Sequence, residues 1–159
     1  MAEWQRELLL WGARQRRMKW AWGETDCVTL MCQGLEVVFG HPIMRIHYTS
    51  REEAKKLMKE MGTSASKYIE RCGAVRQSVS GLQGGDIIVR RGIVNGMPRL
   101  ALALDKEVLL TSDPVQGPHW IGVSDLRRRA RVYRFGCGAP GRAVRHGDES
   151  PLVRVRRAP

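Results

Sequence analysis

The chain reads as an α+β domain, helices first and a small curled antiparallel sheet after. Two observations carry that reading. Helical periodicity dominates up to residue 83, and from Gly84-Gly85-Asp86 onward the pattern becomes short apolar runs broken by turn residues. At 159 residues the length suits one domain with a core large enough to need no staples.

The elements follow in order. Residues 2–19 form an amphipathic helix, with Trp4, Leu8, Trp11 and Met18 as its apolar stripe. Gly23 then permits the turn into Thr25 and Asp26, both good N-cap residues. After them Cys27, Leu30, Met31, Leu35, Val38 and Phe39 recur at helical spacing, and Gly40 and Pro42 mark the exit. His41 and His47 fall in the turn and loop beyond. Ser50-x-x-Glu53 is a capping box for a helix whose inner side is Ala54, Leu57, Met58 and Met61, broken at Gly62-Thr63. A short helix over 64–72 turns Tyr68, Ile69 and Cys72 inward.

Ile87-Ile88-Val89 opens the strands, and Asn95-Gly96 and Pro98 mark a turn. In Leu100–Leu104 the leucines point one way and Ala101 and Ala103 the other, so both faces are apolar and buried. Asp105-Lys106 leads into a hairpin strand over 107–111, and 121–123 and 131–135 complete the sheet, with His119 in a Gly-Pro loop before it. This gives one domain over 1–135. Residues 136–159, rich in Gly, Pro and Arg, form an extended basic arm with little to bury. The arm orders against a neighbouring subunit, where Leu152 to Arg156 can add as a strand to another sheet.

Composition excludes several classes. No apolar run reaches membrane-spanning length, and the N-terminus does not read as a signal peptide, so synthesis in a cytoplasm is expected. The four cysteines lack metal-type spacing and fit a reducing compartment; neither a metal nor a cofactor is expected. A net charge of +11, with arginines crowded over 127–134 and in the arm, points to an anionic partner. Nucleic acid is disfavoured, because no binding motif and no basic helix interleaved with aromatics is present.

Cys27 is the candidate nucleophile. A thiol in the first turn of a helix meets unpaired N–H groups and a partial positive charge, which favour thiolate. The ordered set Trp22-Gly23-x-x-Asp26-Cys27, Tyr48-Thr49-Ser50-Arg51-Glu52-Glu53-Ala54 and Gly85-Asp86-Ile87-Ile88-Val89 resembles NlpC-type, papain-like cysteine peptidase domains. The likeness is to a bacteriophage tail-associated subgroup of poorly defined function, and it covers about residues 3–135. The resemblance implies a papain-like fold and a place in the virion, at the tail tip or hub, with other tail proteins as partners. It also implies a histidine on the strand after the Gly-Asp strand, near Arg99, Leu100 and Ala101, and a third polar residue near Leu110, Thr111 or Ser112. None of the first three is histidine, and arginine cannot act as a base. His119 is the remaining candidate for a dyad with Cys27, which would attack an amide carbonyl with the Cys27 and Val28 amides near the oxyanion. On these residues the catalytic set is broken. The leading expectation is a tail structural or assembly protein on an inactive peptidase scaffold. The alternatives are an active cysteine endopeptidase or amidase cutting peptidoglycan during tail penetration, and an anion-binding module using the basic arm.

Overall fold

The computed structural model describes residues 1–62, 64–94, 96–126 and 129–136. Apart from Gly136, the sequence-predicted arm and its assembly contact lie outside the described residues, as do Arg127 and Arg128. Within them the domain is α+β. Four α-helices, α1 (Glu3–Gln15), α2 (Cys27–Phe39), α3 (Arg51–Met61) and α4 (Ala65–Arg71), precede all six strands. The strands are β1 (Val75–Gln77), β2 (Ile87–Val94), β3 (Met97–Ala103), β4 (Val108–Asp113), β5 (Gly117–Gly122) and β6 (Arg131–Arg134). They make one antiparallel sheet in the order β1-β6-β2-β3-β4-β5. No described helix is long and apolar enough to cross a membrane.

The sheet is buried on both faces, as the leucine–alanine alternation in β3 predicts. Leu100, Leu102 and Leu104 join the main core with α2, whose Leu30, Met31 and Leu35 are each at most 1% exposed. Ala101 and Ala103 turn to a smaller cluster with Ile88, Leu109 and Val132, closed by Leu82, Val123 and Leu126. α1 lies on α2, bringing Leu8 and Trp11 into the core. It ends at Gln15 rather than 19, so Met18 leaves the predicted stripe and is exposed. α2 runs between an Asp26 N-cap and Gly40, whose φ of 74° closes the last turn in the left-handed region.

Asp86 of the Gly-Asp-Ile segment is a structural anchor. It is 1% exposed, accepts from the Gln83 amide, and is held by two parallel hydrogen bonds from Arg134 at 2.7 and 2.8 Å. That forked pair ties the entry of β2 to the end of β6.

Three strand expectations change. β1 lies where the periodicity reads as non-strand, and Pro98 belongs to β3 rather than to the turn before it. β5 begins at Gly117, so His119 and Trp120 are strand residues and not loop residues. Pro118 is tolerated because β5 is an edge strand, where a missing N–H leaves no ladder partner unmet.

Candidate functional site

Cys27 sits where strands β3 and β4 part. Their pairing runs Ala103↔Leu109, Leu102↔Leu110 and Ala101↔Thr111, and goes no further. Beyond it the carbonyls of Leu100 and Pro98 need other donors. Thr111 Oγ1 donates to the Leu100 carbonyl at 2.7 Å, and the Cys27 thiol donates to the Pro98 carbonyl at 3.3 Å. The Leu100 amide also lies against the sulfur. Two side chains therefore replace the ladder that β4 abandons.

The residue before the cysteine fixes its place. Asp26 is buried and accepts from the Thr29 amide at 3.0 Å, the Thr29 hydroxyl at 2.9 Å and the Gly23 amide at 2.7 Å, and from the Tyr48 hydroxyl. Thr25, the other predicted cap, is used differently. Its hydroxyl donates to the Lys19 carbonyl at 2.6 Å and accepts from the Ala21 amide at 2.8 Å, folding residues 19–25 into a compact turn. That turn presents Trp20 and Trp22, packed edge to face with centroids 4.8 Å apart.

Between this turn and the parted strands opens a cleft of about 560 Å³. Trp20, Trp22, Cys27, Pro98, Arg99 and Ser112 are among the residues that line it, with Arg90, Thr111 and Asp113. Its size suits a small ligand or a few peptide residues.

The pull of the helix N-terminus toward thiolate is opposed at this position. Burial pushes the Cys27 thiol up from 9.0 to about 11, and the Asp26 carboxylate pushes the same way. The amides of Leu100, Cys27 and Val28 pull it down. The helix N-terminus acts as the sequence suggests, but removal from water is the larger effect. The residue keeps some exposure along the cleft while close-packed atoms surround its sulfur. Cys27 is therefore a neutral S–H donor near pH 7.

The structure does not bring Cys27 and His119 together. His119 aligns with Thr111, and Thr111 with Ala101, so the three share the sheet face turned away from α2. The row facing the helices is Leu102, Leu110 and Trp120. His119 Nδ1 donates to the Gly117 carbonyl at 2.8 Å, and Nε2 lies 3.9 Å from Asp113. Where the resemblance implies a histidine, the thiol instead meets the Pro98 carbonyl. Thr111, an expected orienting group, spends its hydroxyl on Leu100. No group of three His, Cys, Asp or Glu residues is placed to hold a metal among the described residues.

Sequence reasoning missed Arg90 and Arg99 as a pair. They face each other across β2 and β3, but a bulge between Arg90 and Ile93 shifts the register, and no local pattern announces it.

Residues 1–134, to the end of β6, match the family described as "Domain of unknown function (DUF6950)". No curated protein matches the chain.

Proposed function

The chain belongs to the DUF6950 family, and from its cleft we propose a binding and assembly role rather than hydrolysis: a bacteriophage tail protein, at the tip or hub, on a papain-like NlpC-type scaffold. One observation carries the non-hydrolytic part. The Cys27 S–H donates to the Pro98 carbonyl at the position a catalytic base would need, and burial keeps the thiol protonated. A nucleophilic cysteine needs a proton acceptor in reach; here the acceptor is a peptide carbonyl, which cannot take the proton away.

The scaffold reading is supported by the order of its parts. A helix opened by cysteine packs on an antiparallel sheet, and its thiol meets the strand that follows the Gly-Asp strand. In this reading Asp26 and Gly23, whose hydrogen bonds fix the turn that carries Cys27, hold the cleft in shape. The virion setting and the tail partners rest on the motif resemblance. Within that setting the arginine-rich segment 136–159 is the assembly contact.

Two measurements test this. Purified protein incubated with peptidoglycan sacculi should release no muropeptides above a Cys27→Ala control; cysteine-dependent release overturns the non-hydrolytic reading. Truncation after Phe135 should leave a folded domain that fails to enter purified phage particles, and normal incorporation removes the arm from the assembly account.

A further inference from the structure

We propose that the outer face of α1 is a self-association surface, on which a second copy of this chain lies antiparallel about a two-fold axis beside Leu10. The surface shares no residue with the cleft beside Cys27, so the inference stands apart from the function proposed above.

α1 has two faces. Leu8, Trp11 and Gly12 are buried against the core. On the other side Leu10, a large apolar side chain in the body of the helix, is 50% exposed. It borders a groove of about 700 Å³ between α1 and α2, lined also by Trp11 and Val37 and by Glu7, Arg14 and Glu36. An apolar centre inside a charged rim is how protein interfaces are built.

The charges decide what the occupant is. Glu7, Leu10 and Arg14 follow one another at spacings of three and four, so they form one stripe along the helix. Glu7 and Arg14 stand about 10 Å apart along the axis, at about 1.5 Å per residue, too far to pair with each other. Neither they nor Glu36 makes an ion pair with any described residue. In chain direction the stripe runs negative, apolar, positive, and a copy turned end for end runs positive, apolar, negative. Laid antiparallel, Glu7 of each protomer meets Arg14 of its partner, and the two Leu10 side chains close over Trp11 and Val37. The two-fold axis makes each of these contacts twice. It also sets the helix dipoles in opposition, which favours association. A parallel copy would instead place Glu7 on Glu7 and Arg14 on Arg14. Arg6 is exposed on α1 but does not line the groove.

The test is sedimentation equilibrium of the full chain. From about 1 µM to about 1 mM, where small interfaces associate, it should show a monomer–dimer equilibrium. Leu10→Asp should weaken the dimer at least about tenfold, because two carboxylates then meet at the axis. Glu7→Arg alone and Arg14→Glu alone each set like charges against each other at both symmetric contacts, and each should weaken it by a similar factor. Mixed one to one, the same two variants should recover the dimer, because every contact between positions 7 and 14 again joins opposite charges. That recovery separates the contact from a loss of folding, and from association through residues 136–159, which both variants carry unchanged. A chain that stays monomeric across the range overturns the proposal. So does a dimer indifferent to Leu10→Asp and to both charge variants, or a pair of variants that fails to recover on mixing.

Discussion

The Tyr48 hydroxyl donates to the buried Asp26 carboxylate, joining the turn before α2 to the loop before α3. Both side chains are at most 4% exposed, and Asp26 collects three further protein hydrogen bonds. Burial, and then the Asp26 charge, push the Tyr48 phenol far up, so it remains a donor at every ordinary pH. Tyr48→Phe removes one donor from a buried anion and leaves the packing volume nearly unchanged. The expected loss is about 1–3 kcal/mol by urea denaturation. An unchanged midpoint would mean that the other three donors suffice.

Gly23 completes the same knot, and its replacement should be worse. Its φ is 72°, and a Cβ there would lie 1.8 Å from the Tyr48 carbonyl oxygen. The left-handed backbone alone costs about 1–2 kcal/mol for a non-glycine residue. The backbone clash adds to it, because no side chain can rotate out of the way. Gly23→Ala should therefore destabilise more than Tyr48→Phe in the same denaturation series. The reverse order would show that the loop at Tyr48 yields.

These two residues also show what a sequence can disclose. Asp26 before an apolar helix is legible as a cap because capping is local. Ser50 is legible in the same way, and it accepts from the Glu53 amide at 3.2 Å. Leu100–Leu104 is legible because alternation is a property of the strand itself. The tie from Asp26 to Tyr48 spans twenty-two residues and depends on how the loop folds back. β1 has only three residues, two of them exposed, and exists because β6 arrives beside it. The thiol shows the limit most sharply. Its helix position was readable, but the packing that reverses its chemistry comes from strands seventy residues away.

Cys27 should accordingly alkylate slowly at neutral pH. For a folded-state value of about 11 against an ordinary 9.0, labelling should climb through about pH 11 with no plateau near 7. The linkage follows in sign. The folded chain holds the proton more tightly than the unfolded one, so this contribution to stability is complete below about pH 9. It is lost as pH rises from about 9 to about 11. Cys27→Ser should keep a donor toward Pro98, whereas Cys27→Ala leaves that carbonyl without one. Iodoacetamide kinetics across pH, read at the Cys27 peptide, check this; rapid labelling at pH 7 would mark a thiolate.

Gly34, in the middle of α2, sets two effects of opposite sign against each other. Glycine inside a helix is less favourable than alanine by about 0.8–1 kcal/mol, so propensity alone makes Gly34→Ala stabilising. The packing argues otherwise. A Cβ at Gly34 would lie 2.0 Å from a Leu102 methyl and 3.0 Å from the Trp11 ring. Trp11 and Leu102 come from α1 and β3, so the glycine is where a helix and the sheet both close on α2. Overpacking a filled core costs about 1–3 kcal/mol, enough to match or exceed the propensity gain. The 2.0 Å approach puts this site at the costly end. Gly34→Ala should therefore lower stability, and Leu102→Ala alone should lower it by about 2–5 kcal/mol through its cavity. The double variant decides between packing and propensity. With the Leu102 side chain gone, the new methyl has room, so the pair should cost clearly less than the sum of the two single changes. Additive losses in a four-variant denaturation cycle would place the effect of Gly34 outside this contact.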